Sequence, residues 1–425
     1  MHKIFPALAI LFITITAAAQ RTIIYCGKMI DVVNSKTLSN YSIIIQGNKI
    51  IEVKEGFVKS ESTDKVIDLK SKTVMPGLMD MHVHMEEETH KGAAADEFTV
   101  NPADIAFGSL AYARVTLMAG FTTVRDLGGS GVNVSLRNAI NRHLVTGPRI
   151  YTAEKAIATT GGHADPTNGY RDDLKGDPGP KDGVINGVED AYKAVRQRYK
   201  NGADLIKITA TGGVLSQAKS GSNAQFTEEE IKAIVAAAKD YGFKVAAHAH
   251  GAEGIKRAIR GGVSSIEHGT YMDDEAIGLM KQYGTYYVPT ITAGKSVADS
   301  AKIPGYYTDI VTPKALAIGP QIQSTFAKAY KAGVKIAFGT DAAVYAHGKN
   351  WLEFVYMTEA GMPAMEAIRC ATVHAADLLG NNQLGSIEKD KLADIIAVDG
   401  DPIADIRSMG KVVFVMKDGE VFKNE

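Results

Sequence analysis

Hydrophobic and polar positions change their period along this chain. Between residues 21 and 74, short runs rich in Ile, Val, Tyr and Thr (22–26, 41–45, 47–53 and 65–69) are separated by Gly, Asn and Lys. Such runs with turn residues between them predict β-hairpins. Residues 393–398 and 412–419 repeat the pattern around a turn at Gly400-Asp401-Pro402. Neither terminal piece can bury much core alone. Paired, they predict a small β-sandwich domain made of residues 20–75 and 385–425, with the middle of the chain inserted into it.

That middle, residues 76–384, has another texture. Apolar strand-like runs at 74–81, 121–126, 149–153, 203–209, 243–247, 263–267, 285–290 and 334–340 alternate with longer segments. The amphipathic segments lie at 103–120, 188–201, 227–241, 254–261 and 313–333. Thr227 before Glu228-Glu229-Glu230 has the form of a capped helix start. Eight strands separated by helices over about 300 residues predict an α/β fold of the (β/α)8, TIM-like barrel class. A doubly wound open sheet is the alternative, but no Gly-x-Gly-x-x-Gly motif opens the first strand unit.

The first residues fit neither texture. His2 and Lys3 precede an apolar run over 4–16, followed by Ala17-Ala18-Ala19 and Gln20. A basic start, a short apolar run and small residues predict a signal peptide over 1–19, hence an exported protein, periplasmic or secreted. An uncleaved anchor is the alternative, although the run is short for a bilayer span. After cleavage no membrane association is expected. Cys26 and Cys370 are the only cysteines. A disulfide between them is possible, and two buried free thiols are the simpler reading.

Composition narrows the picture further. The 425 residues suffice for one large domain and a smaller one. A net charge of −1 gives no electrostatic case for nucleic acid as a partner.

The candidate chemistry lies where barrel enzymes carry it, at the C-terminal ends of the strands. The first run ends in Met81-His82-Val83-His84. Residues two apart on a strand share a face, so both imidazoles can reach one metal ion. Lys207 sits inside the apolar fourth run. The fifth ends in His248-Ala249-His250, the sixth in His268 and the eighth in Asp341. Taken singly, each has a plainer reading. Asp341 could cap a helix, and Lys207 could snorkel to water. His90, His143, His347 and His374 read as ordinary polar histidines. Jointly, the strand-end residues converge on one barrel mouth. An ammonium buried in an apolar strand is costly and cannot bind a cation. Carboxylated by carbon dioxide, the same side chain becomes an anion able to bridge two metals.

The run from Pro76 to His84, with Lys207, His248, His268 and Gly339-Thr340-Asp341, resembles the amidohydrolase superfamily with a binuclear site. The likeness covers essentially the whole mature chain. Gly161-Gly162-His163, Lys207 to Val214, His248 to Glu253 and Ile266-Glu267-His268-Gly269 resemble one branch in particular. That imidazolonepropionase-like branch contains Xaa-Pro dipeptidases, related carboxypeptidases and ochratoxin-hydrolysing amidases. The resemblance implies two divalent metal ions, with zinc expected. His82, His84 and Asp341 would hold the more buried ion and His248 and His268 the second, with N6-carboxylated Lys207 bridging both. His163 and His250 would orient or polarise the substrate, or support the ligands.

The implied reaction is hydrolysis of an amide bond in a small dipeptide or N-acyl amino acid, including ochratoxin-type acyl-Phe amides. A metal-bridging hydroxide would attack, and Asp341 would pass its proton to the leaving nitrogen. A homo-oligomer is also implied. A lactonase, or a cyclic-amide hydrolase or deaminase, is the alternative on the same fold, although mononuclear deaminases generally lack a lysine at the position of Lys207. A non-catalytic interaction protein would be expected to have lost several of these residues. Two loops are candidates for substrate selection: a lid over 165–190, and a pocket wall over 294–312 with Tyr306 and Tyr307. No Arg or Lys stands out as a partner for a substrate carboxylate.

Overall fold

The computed structural model describes residues 20–425, so the signal peptide expected over 1–19 lies outside the described residues. Strands β1 (Arg21–Asp31), β2 (Lys36–Gln46), β3 (Lys49–Glu55) and β4 (Lys65–Pro76) open the chain. They are followed by β5 (Leu78–Val83), β6 (Phe121–Asp126), β7 (Arg149–Thr152), β8 (Ala158–Thr159) and β9 (Val184–Ile185). Next come β10 (Ile206–Thr209), β11 (Val245–Gly251), β12 (Ser265–Tyr271) and β13 (Tyr286–Val288). The chain closes with β14 (Ile395–Val398), β15 (Val412–Lys417) and β16 (Glu420–Asn424).

The two ends of the chain share one sheet. Its strand order is β16-β15-β14-β4-β1-β2-β3. β1 and β2 form an antiparallel hairpin, as do β2 and β3. β4 makes the join, running parallel to β1 from Lys65 to Val74 and antiparallel to β14 at Thr73–Pro76. Hydrogen bonds thus link the two ends, expected as a sandwich, into one seven-stranded sheet. Ile24, Ile43, Ile67, Ile395, Phe414 and Met416 fill its core.

The middle of the chain is mixed α/β. β5, β6 and β7 form one parallel sheet, and β10 to β13 form another. Their strands are buried along most of their length, which is why they read as continuous apolar runs rather than alternating ones. The two sheets are joined at both seams by irregular backbone. On one side Ile157 N–H donates to Lys207 O at 2.8 Å, and Thr209 N–H donates to Ile157 O at 3.0 Å. On the other, Ala337 N–H donates to Tyr287 O at 3.0 Å and Met81 N–H to Phe338 O at 2.9 Å.

The eighth strand expected over 334–340 is therefore not a regular strand. It contributes one bridge, Ile336 to Tyr287. Two of its backbone donors are drawn off the ladder, Phe338 N–H to Cys370 O at 3.0 Å and Thr340 N–H to a side chain. The buried Asp80 carboxylate accepts from Thr340 N–H at 3.1 Å and from Thr340 Oγ1 at 2.6 Å, competing with the ladder.

The helices Pro102–Met118, Val188–Asn201, Glu228–Asp240, Ala252–Gly261 and Thr312–Lys331 occupy the five amphipathic segments. Thr227 and Glu230 form the reciprocal capping box that their spacing predicts. Helices also form outside those segments, among them Val132–Asn141, Asp274–Tyr283 and Ile291–Ser300. Ile291–Ser300 replaces part of the loop foreseen over 294–312, because the Glu353 carboxylate, 62 residues away, accepts from Ile291 N–H at 2.8 Å. A cap so distant in sequence leaves no local signature. Cys26 and Cys370 are buried free thiols, and burial pushes both thiol pKa values up. No helix among the described residues is long and apolar enough to cross a membrane.

Candidate metal centre

The strand ends converge on a pocket of about 280 Å³. His82, His84, His163, Lys207, His248, His250, His268 and Asp341 all line it. His90, His143, His347 and His374 do not. The backbone at three strand ends takes the left-handed conformation, at His268 (φ 70°), Thr290 (φ 50°) and Asp341 (φ 60°). Such angles are uncommon for residues with a Cβ and concentrate where function requires a particular side-chain direction.

Each of five histidines is tied by one ring nitrogen, which leaves the other free. His82 Nδ1 lies 3.1 Å from Glu267 Oε2, and His84 Nδ1 lies 2.7 Å from Gly128 O. His268 Nδ1 meets Thr290 Oγ1 at 2.7 Å, and His250 Nδ1 meets Thr270 Oγ1 at 2.9 Å. His248 is reversed, with Nε2 at 3.1 Å from Gly212 O, leaving Nδ1. A metal-binding imidazole requires this arrangement, because its second nitrogen fixes the tautomer and the ring plane.

Two of the free nitrogens face Asp341. Its Oδ1 is buried without a hydrogen-bond partner, while His84 Nε2 and His82 Nε2 face it at 3.3 and 3.4 Å. Lys207 Nζ stands 3.4 Å from His82 Nε2. Potential ligand atoms of His82, His268 and Asp341 all lie within 4.8 Å of one another. This tight group crosses the two ligand sets implied by resemblance, so the two sets share one space. The rings of His248 and His268 are 4.7 Å apart, and those of His163 and His248 are 4.4 Å apart. An orphaned carboxylate oxygen facing imidazole nitrogens fits a bound divalent cation.

The electrostatics agree with that fit at three of the histidines, and at His84 a proton holds the place beside Asp341. Burial drives His82, His248 and His268 well below the usual histidine range, so they are neutral imidazoles. Burial would lower His84 too, but Asp341 outweighs it and holds His84 at about 9. Burial would raise Asp341, yet His82 and His84 keep it at about 2. Lys207 is pushed down to about 8 by burial, against the opposing pull of Glu267 and Asp341.

Several supporting residues escaped the sequence reading. Glu267, fully buried, accepts from Arg125 Nη2 at 2.8 Å and Ser265 Oγ at 2.5 Å while holding His82. Arg125 and Glu267 did carry a signal: each is a charged residue inside an apolar strand run, as Lys207 is. Thr270 and Thr290 carried none, since their partners are set by packing. Tyr306 and Tyr307 do not line the pocket. Its wall there consists of Ala293, Gly294 and Val297 from the helix Ile291–Ser300, with Ile318 and Ile322.

Residues 73–422 match the Amidohydrolase family. The chain belongs to that family. Family membership implies a TIM-type barrel with a β-rich companion, to which the α/β body and the seven-stranded sheet correspond. The chain is 33% identical to an ochratoxinase of Aspergillus niger over 441 residues, covering 97% of this chain and 89% of the relative. A solved Xaa-Pro dipeptidase with methionine bound in its active site is 57% identical, with a TM-score of 0.93, covering 95% of this chain and 100% of that one. A solved prolidase complexed with N-methylphosphonate-L-proline is 32% identical, with a TM-score of 0.86 over 95% and 100% of the two chains. The protein is accordingly a hydrolase of C–N bonds.

Proposed function

We propose that this protein is a binuclear metal-dependent dipeptidase on a (β/α)8 barrel, hydrolysing the peptide-like amide of a small dipeptide and releasing its C-terminal amino acid. The carrying observation is the orphaned Asp341 Oδ1 ringed by histidines that are each anchored through one nitrogen. Likeness to a Xaa-Pro dipeptidase at 57% identity supports the substrate class.

In this reading His82, His84 and Asp341 would hold one ion and His248 and His268 the other, with the N6-carboxylate of Lys207 as a further ligand. Zinc suits the imidazole and carboxylate donors. The ions supply acidity to water and polarise the scissile carbonyl. Asp341 takes the proton from the attacking water and delivers it to the leaving nitrogen, without which an amide leaves poorly. Lys207, pushed down to about 8, has a neutral amine fraction at physiological pH that can add to carbon dioxide and lose a proton. His163 and His250 contact or orient the substrate. The reading includes export after removal of residues 1–19, and self-association.

N-acyl amino acids of the ochratoxin kind form a second reading. The apolar side of the pocket, with Val214, Leu215, Ile318, Ile322 and Val344, suits an aromatic acyl group. The test is release of free amino acid from a panel of Xaa-Pro, Xaa-Phe and aromatic-acyl-Phe amides, with lactones alongside, using the zinc-loaded protein. Release from dipeptides, with about two ions per chain and loss on chelation, is expected. Lactone opening without any amide cleavage would overturn the proposal.

A further inference from the structure

The charged and titratable side chains lining the pocket all have a part in the proposed centre, with one exception, Glu87. It lies three residues beyond His84 on the loop leaving β5. The backbone of this loop is pinned from both sides. His84 N–H donates to Ala342 O at 3.0 Å and Thr89 N–H to Ala343 O at 2.6 Å. His347 Nε2 lies 3.0 Å from Glu87 O itself.

Its neighbours are fully used. The Glu86 carboxylate accepts from Asn133 N–H at 2.6 Å and Ser130 N–H at 2.7 Å. Glu88 Oε2 accepts from His347 N–H at 2.9 Å. The Glu87 carboxylate has neither a hydrogen bond nor an ion pair among the described residues, and its side chain remains accessible inside the pocket. A carboxylate carried on pinned backbone at a pocket wall, with no hydrogen bond from the protein and only the longer-range pull of His84, offers a place for a cation brought by the ligand.

Substrate chemistry says which cation. In a dipeptide the α-ammonium is two bonds from the scissile carbonyl carbon. Its partner must therefore line the same pocket as the metal centre, and Asp341 is already committed there. We infer that Glu87 accepts the α-ammonium of the substrate and makes the enzyme selective for a free amino terminus. The inference rests on the amide-hydrolase reading above and sharpens it. An N-acyl substrate brings no cation and would leave Glu87 unpaired, so the residue favours one class while disfavouring the other.

Binding to the zinc-loaded protein tests this without depending on turnover. The probes are an uncleavable phosphinic analogue of alanyl-proline with its amino end free, and the same analogue N-formylated. The wild-type protein is expected to bind the free form about 10- to 100-fold more tightly, the range for a charge-assisted hydrogen bond. Glu87→Gln should abolish that preference, and Glu87→Asp should retain part of it. Equal binding of both probes by the wild type would overturn the role of Glu87 and leave the hydrolase reading standing. A preference that survives in Glu87→Gln would do the same, since it would then be steric. Failure of both probes to bind would overturn both readings.

Discussion

Removing the Glu267 carboxylate should separate two effects that ordinarily travel together. Glu267 sits behind His82 at 3.1 Å and pairs with Arg125 at 2.8 Å, with neither Glu267 nor Arg125 appreciably exposed. In Glu267→Ala the guanidinium stays buried without its anion, a loss of about 3–5 kcal/mol in folding stability. His82 also loses the acceptor that fixes its ring, which lowers metal affinity about 10- to 100-fold. In Glu267→Ala/Arg125→Met both charges are gone. Most of the stability should return, less the contribution of the bond from Arg125 Nε to Met81 O at 2.6 Å. Metal affinity should not return, because His82 still lacks its acceptor. Urea midpoints followed by circular dichroism measure the first quantity. Competition for zinc against a chromophoric chelator measures the second. If the double variant recovered zinc affinity along with stability, Glu267 would be only a counter-charge for Arg125, and the argument for its hold on His82 would fail.

Two further outcomes follow from the same geometry. Asp341→Asn should keep part of its metal and lose hydrolysis by about 10²- to 10⁴-fold, the usual worth of a positioned acid–base group; turnover measured beside metal content per chain decides it, and near-full turnover with metal bound would refute the proton-transfer role. Burial raises Glu353 from 4.5 to about 8, against the bonds it accepts from Thr292 and Ile291. A carboxyl raised on folding favours the native state most below its unfolded pKa, and that contribution is lost as pH rises through the folded value. The urea midpoint of Glu353→Gln should therefore gain on wild type between about pH 5 and 8, whatever the absolute cost of the amide. A constant gap across that range would remove the shift.

The prominent parts of the site were legible because they break a local rule. Two histidines on one strand face, a lysine in an apolar strand and an aspartate after Gly339-Thr340 each stand out against the texture of their surroundings. Four of the five helical segments were legible for the complementary reason, since a 3.6-residue period reports one buried face without reference to what covers it. Even the capping box at Thr227 is local, and it formed as its spacing predicted.

What stayed hidden depends on residues far apart in the chain. The helix Ile291–Ser300 is started by Glu353, and the irregular eighth segment is diverted by Asp80, 260 residues before Thr340. The choice of which imidazole nitrogen is free rests with Glu267, Gly128, Gly212, Thr270 and Thr290. None of these partners is marked by spacing, because hydrogen bonds between strand ends form only once the sheets have set their register. The sequence alone thus determined which side chains stand at the mouth and what class of chemistry they can perform. Only the tertiary structure decided how each ring is turned, that Asp341 Oδ1 is left without a donor, and that Glu87 faces the same pocket unpaired. Orientation and desolvation are properties of the packed assembly, and no single stretch of chain carries them.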